Sequence, residues 1–120
     1  MVHHHRTSTG SLGEAAAARH YRDRGYRVLD RNWRCGIGEL DLVLTRADTL
    51  VFCEVKTRRG SGFGGGWEAV TARKRHKLRA LGQTYLLTHR LSPRAVRFDV
   101  ASVLLVPGRS AQVEVFEDAF

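Results

Sequence analysis

Two cysteines and two prolines are all that this chain of 120 residues carries, and aromatic residues make up only 8% of it. Cys35 and Cys53 are too few and too unpatterned for a disulfide framework or a four-ligand zinc site, and Cys53 sits inside an apolar run. A reducing cytosol is the simplest setting, so a cytoplasmic protein is expected. No window approaches the roughly 18 apolar residues of a membrane helix, and the N-terminus lacks the apolar centre of a signal peptide. Neither anchoring nor export is indicated. Acid is scarce as well: 12 Asp+Glu against 20 Lys+Arg leave a net charge of +8. Such an excess favours polyanions, nucleic acid first among them, although a solvated basic surface has the same composition. One domain accounts for the length, and a chain of this size buries about two-thirds of its unfolded surface.

The opening MVHHHRTSTG reads as a disordered end or an expression remnant rather than a metal site, which leaves residues 11–120 for the fold. Ser11-Leu12-Gly13-Glu14 has capping-box form and predicts an alanine-rich helix to Arg24, with Gly25 as its stop. Tyr26 to Trp33 predicts a strand. Glu39–Thr45 and Leu50–Thr57 predict two more around the short connection Arg46-Ala47-Asp48-Thr49, which makes a hairpin. The glycine-dense segment from Arg59 to Gly66 leads to a helix capped near Thr71, with Leu78, Leu81, Tyr85 and Leu86 as its packing stripe. Ala95–Val106 and a last run to Phe116 complete the order αβββα followed by ββ.

Charges interrupt the hairpin at Glu39, Asp41, Glu54 and Lys56. Alternation puts Leu40, Leu42 and Leu44 on one side of their strand and Glu39, Asp41 and Val43 on the other. In the next strand, Phe52, Glu54 and Lys56 share a side. A turn centred on Ala47-Asp48 sets Asp41 opposite Glu54 and Glu39 opposite Lys56, with Cβ atoms about 5 Å apart. Two carboxylates so placed repel unless a cation lies between them, and an oxygen-only pair suits Mg²⁺ or Mn²⁺. A solvated outer face gives the same alternation. Arginine supplies 17 of the 20 strong bases, so lysine at position 56 is not the default cation. A compact ammonium can orient a water or steady a pentacovalent phosphate. Phe52 on the acidic side argues for a partly covered cleft.

Arg73, Lys74, Arg75 and Lys77 crowd the start of the second helix, where the macrodipole disfavours cations, and Arg58 and Arg59 precede the glycine segment. A nucleic-acid backbone gripped there would compensate them, as would simple solvation. Trp67 and Glu68 nearby read as a packing anchor and a cap.

GELDLVLTRADTLVFCEVKTR resembles the D-(spacer)-E-x-K signature of the PD-(D/E)XK nuclease superfamily, with Asp41, Glu54 and Lys56 at its positions. Gly13-Glu14, Gly25-Tyr26, Arg31-Asn32-Trp33-Arg34, Gly38-Glu39-Leu40-Asp41, Glu54-Val55-Lys56-Thr57-Arg58, Phe63-Gly64, Glu68-Ala69-Val70 and Arg97-Phe98-Asp99-Val100 together resemble the YraN family of bacterial proteins, from about Gly13 to Val100. The resemblance implies an α/β, restriction-endonuclease-like αβββαβ core: a mixed central sheet flanked by helices, related to archaeal Holliday-junction resolvases, here with an extra C-terminal strand. It implies a Mg²⁺ or Mn²⁺ site at Asp41, Glu54 and Val55, and a catalytic Lys56. Glu14 is then either a further acid from the first helix, as in resolvase relatives, or a helix cap, and Glu39 a residue that tunes Lys56. Leu40 stands where the superfamily signature has proline, and Gly66 where this family often does.

The resulting expectation is a nuclease-like domain that hydrolyses phosphodiesters in DNA, branched or repair intermediates included, and that dimerises by analogy with resolvases. The alternative is a non-catalytic nucleic-acid-binding accessory protein on the same fold. A third reading is an interaction module that uses its final strand as a dimer edge.

Overall fold

The alanine-rich stretch forms helix α1 (Thr9–Arg22), in a computed structural model that describes residues 8–60 and 70–120. The helix begins before the expected Ser11: Ser8 is the N-cap, and its hydroxyl accepts from the Ser11 N–H at 3.1 Å. The Ser11–Glu14 capping box is therefore not formed, and Glu14 is freed for another partner. Both serines are competent caps, and a contact from outside the helix favours the earlier start, since Arg59 Nε donates to Thr9 Oγ1 at 2.6 Å.

Four further elements follow as expected, with strand ends shifted by one or two residues. They are β1 (Arg27–Cys35), β2 (Gly38–Arg46), β3 (Thr49–Arg59) and, after the undescribed segment, helix α2 (Ala72–Thr88), capped by Thr71. Phe63, Gly66, Trp67 and Glu68 lie outside the described residues. Strands β4 (Ala95–Leu105) and β5 (Gln112–Phe116) complete a sheet of order β1-β2-β3-β4-β5. Only β3 and β4 run parallel, because α2 carries the chain across the sheet between them. The result is a single α/β domain with the αβββαβ order and one added antiparallel edge strand. No helix among the described residues is long and apolar enough to cross a membrane.

Each helix covers one face of the sheet. Ala17, Ala18 and Tyr21 of α1 pack on Leu42, Leu44, Val51, Cys53, Ala101 and Val103. Leu78, Leu81 and Tyr85 of α2 pack on Leu40, Val43, Leu50, Phe52, Phe98 and Val100. Leu40 thus parts company with Leu42 and Leu44, contrary to strict alternation. Beside this point β1 carries a left-handed Asn32, at φ 54°, between the pairs Arg31↔Leu42 and Trp33↔Leu40, while its register shift between Val28 and Asp30 lies further along, opposite Leu44 and Val43. Gly82 lets α2 settle onto the sheet, since a Cβ there would come within 2.9 Å of the Phe52 ring and 3.1 Å of Phe98. Gly13 does the same for α1, where a Cβ would collide with the Thr57 side chain on β3.

Among the described residues Asp99 is the one fully buried charge, at 0% exposure. It accepts from Tyr21 Oη at 2.6 Å, from Arg97 Nε and Nη2 at 2.9 Å, and from the Asp118 N–H at 3.0 Å. Arg97 in turn donates to Tyr26 Oη at 2.9 Å, so α1, the residue before β1 and the segment after β5 all fasten to β4 through one carboxylate. Removing one partner of such a network leaves the other charge uncompensated. Asp99→Ala should cost about 3–5 kcal/mol in urea-unfolding free energy.

Ala47 and Asp48, at φ 49° and 64°, form the two-residue hairpin turn that the right-handed twist of the strands demands. Both are exposed, and neither is the asparagine or glycine that this geometry favours. Replacing Ala47 by Asn and Asp48 by Gly should relieve that conformational cost and stabilise the protein by about 1 kcal/mol, read as a higher melting temperature.

Candidate active site

Backbone pairing between β2 and β3 follows the expected register from Arg46↔Thr49 to Leu42↔Cys53, and there it stops. Both strands continue, β2 beside β1 as far as Gly38 and β3 beside β4 as far as Arg59. The sheet therefore forks just where the charges begin. Asp41 turns into the opening: its Oδ2 accepts the Val55 N–H at 2.8 Å, supplying the acceptor that a strand carbonyl would otherwise provide. The continuation of the ladder that would set Asp41 opposite Glu54 and Glu39 opposite Lys56 as paired residues is not formed. Glu39 instead lies opposite Arg34 of β1, with Oε2 3.7 Å from its Nε, and Lys56 lies beside Ser102 of β4.

Regular pairing of β3 with β4 keeps Glu54 and Lys56 on one face, the face that α2 covers. Glu54 is buried, 8% exposed, and its Oε2 lies 3.0 Å from Lys74 Nζ at the start of α2. Glu39, Asp41 and Glu54, with Lys74, Lys77, Leu78 and Leu81, line a cavity of about 200 Å³ between the fork and the helix. Glu14 approaches from α1, held by Asn32 Nδ2 at 3.0 Å. Asn32 carries no signal for this contact beyond its place in the Arg31–Arg34 motif and its tolerance of left-handed backbone, yet it fixes the glutamate.

The basic residues divide. Lys74 and Lys77 turn to the acidic cavity, whereas Arg73 and Arg75 are exposed on the first turns of α2, which contain no acid. Arg59 is engaged by Thr9, and Arg58 lies next to it at the end of β3. Burial pushes the Cys53 thiol well above its usual range, so it serves as a protonated core side chain on the opposite face.

Electrostatics single out Asp41. Burial, then the charge of Glu54, raise its carboxyl to about 7, with Glu14 and Glu39 adding to the rise and the Val55 N–H opposing it. Among the described residues no three Asp, Glu, His or Cys side chains are grouped to hold a metal. The donor set nonetheless fits a hard divalent cation. Mg²⁺ takes one or two carboxylates and completes its shell with water and phosphate, and a cation would offset both the burial and the neighbouring charge that raise the Asp41 carboxyl.

Fold and fork together define a class: small α/β proteins that carry two acids and a lysine where two central strands part. The chain belongs to the family described as uncharacterised protein family UPF0102, the YraN family, whose model matches residues 13–103. Its relatives are bacterial. A UPF0102 protein of Frankia alni is 49% identical over 111 residues, 92% of each chain. One of Moorella thermoacetica is 47% identical over 116 residues, 96% of this chain and 97% of that protein. A third, of Nocardia farcinica, is 46% identical over 111 residues, 92% of this chain and 87% of that protein.

The raised carboxyl sets a pH dependence. Asp41 binds its proton more tightly folded than unfolded, where its value is about 4, so its contribution to stability is complete at low pH and is lost as pH rises through 7. In EDTA, the unfolding free energy of the parent should fall relative to that of Asp41→Asn between about pH 4 and 7, by at most about 1.4 kcal/mol per pH unit, and the two should run parallel above that window. Parallel curves throughout would mean that Asp41 ionises normally.

Proposed function

We propose that the protein is a Mg²⁺- or Mn²⁺-dependent nuclease that hydrolyses phosphodiester bonds in DNA, with branched or repair intermediates among its substrates. The observation that carries this reading is the fork itself, with Asp41 turned into the gap and Glu54 and Lys56 on one face of the adjoining strand. Asp41 and Glu54 would hold the cation, with the Val55 carbonyl as a third oxygen. Bound there, it would supply positive charge to the phosphoryl oxygens and acidify the attacking water.

The chain's own side chains have distinct tasks. The Lys56 ammonium donates hydrogen bonds to the attacking water or to a phosphoryl oxygen as negative charge develops there. The Val55 N–H fixes the Asp41 carboxylate, so that its free oxygen faces the cavity. Glu14, tied to Asn32 rather than to its own helix terminus, is available as a further acid at the rim. Exposed Arg73 and Arg75 give the adjoining helix a surface that a phosphate backbone complements.

A panel of branched, flapped and single-stranded DNAs with Mg²⁺ or Mn²⁺ tests the proposal. Asp41→Ala and Lys56→Ala should each lower the cleavage rate by about 100-fold or more. Variants that cut as fast as the parent would overturn the assignment. DNA binding that weakens steeply with salt, without turnover in either metal, would favour the accessory-protein reading instead.

A further inference from the structure

Lysine occurs three times in this chain, at positions 56, 74 and 77, and all three are at the fork. Lys56 stands two residues from Glu54 on β3, and Lys74 and Lys77 line the cavity from α2. Elsewhere the strong base is arginine. Among the described residues Lys74 is the lysine that makes a close ion pair there, with Nζ 3.0 Å from Glu54 Oε2, and its two ends differ: the Glu54 side chain is 9% exposed, that of Lys74 46%. Such a pair can open by rotation of the lysine alone, with the ammonium passing into water while the carboxylate stays in place. A tether is not needed to hold the helix, because Leu78, Leu81, Gly82 and Tyr85 already seat α2 on the sheet.

A divalent cation between Asp41 and Glu54 would meet this ammonium at the same carboxylate. Two cations so close repel, and the one on a flexible, half-exposed stem is the one that leaves. Once released, Lys74 stands between Arg73 and Arg75 in a first helical turn that has no acid of its own, a setting that disfavours a free ammonium until an anion arrives. A phosphate of the nucleic acid answers that need.

The geometry points to Lys74 as a displaceable counter-ion: it neutralises Glu54 until a divalent cation takes that carboxylate, and then presents its ammonium to a backbone phosphate of the substrate. The inference rests on the metal-dependent reading proposed above. It couples the two ligands. A cation that frees Lys74 improves phosphate binding, and by linkage a phosphate that draws Lys74 away tightens the cation by the same factor.

Mn²⁺ titration calorimetry on the full chain, with and without a non-cleavable DNA duplex, tests the coupling. Circular dichroism verifies the fold of each variant. For the parent, the duplex should tighten Mn²⁺ binding about tenfold. Lys74→Met should bind Mn²⁺ about tenfold more tightly than the parent without DNA, and gain little more when the duplex is added. Lys74→Arg, which keeps the charge, should resemble the parent. Lys77→Met should gain clearly less than Lys74→Met, because Lys77 lines the cavity without the ion pair. Measurable Mn²⁺ binding that is equal in parent and Lys74→Met, or equal gains in the two methionine variants, would overturn the counter-ion role while leaving the metal site intact. No Mn²⁺ uptake by any of the proteins would overturn the metal reading and this inference with it.

Discussion

A single hydrogen bond, from the Val55 N–H to Asp41 Oδ2, makes the rest of the site possible. Two central strands cannot part inside a sheet without stranding backbone donors, and an unpaired buried N–H costs as much as a lost hydrogen bond. By supplying the acceptor from a side chain, Asp41 lets β2 and β3 diverge after Leu42↔Cys53 while β3 keeps its full ladder with β4. The gap so created admits Lys74 and Lys77 from α2 on the one face. Gly13, which brings α1 down onto Thr57, sets the neighbouring Glu14 near the fork from the other helix.

The same bond creates an electrostatic conflict. It favours the ionised form of Asp41, whereas burial and three neighbouring acids oppose it, and opposition prevails. Glu54 meets its own burial differently, through Lys74. One carboxyl thus gives up its proton only near neutral pH and the other is paired with an ammonium, and a cation bound between them would compete with both. The Asp99 network lies at the other extreme. Each oxygen there is committed to Tyr21, Arg97 or the Asp118 N–H, and those partners all serve to clamp the fold.

Much of this was legible in the residue order, and what escaped did so for identifiable reasons. Period-two alternation with a two-residue turn gave the hairpin and its register from Leu42 to Arg46. Extending that register to Glu39 and Lys56 failed, because a pairing rule presumes backbone partners on both strands and here a side chain replaces one of them. The first helix was recognisable, but not which serine capped it, since Ser8 and Ser11 differ in surroundings rather than in chemistry. The basic cluster on α2 was visible as a charge run, yet spacing alone did not reveal that its lysines and arginines face different ways. The role of Asp99 was not legible, because Tyr21, Tyr26 and Asp118, the residues that complete its network, lie far from it in the chain.

The carbonyl of Asp48, in the middle of the hairpin turn, accepts from the N–H groups of Arg94 and Ala95 at 3.1 and 3.4 Å. It thereby sets the starting point of β4, whose parallel pairing begins at Thr49↔Ala95. A hairpin closes in about 1–10 μs, whereas a parallel partner must first bridge a long loop, so the local element forms early and then serves as the template. The acids of β2 and β3 therefore come together in the fastest-forming part of the chain, before α2 can deliver its lysines. During that interval Asp41 and Glu54 stand together without the Lys74 ammonium that later pairs with Glu54, and ionic strength or a divalent cation in the refolding buffer acts on the rate of assembly as well as on the finished protein.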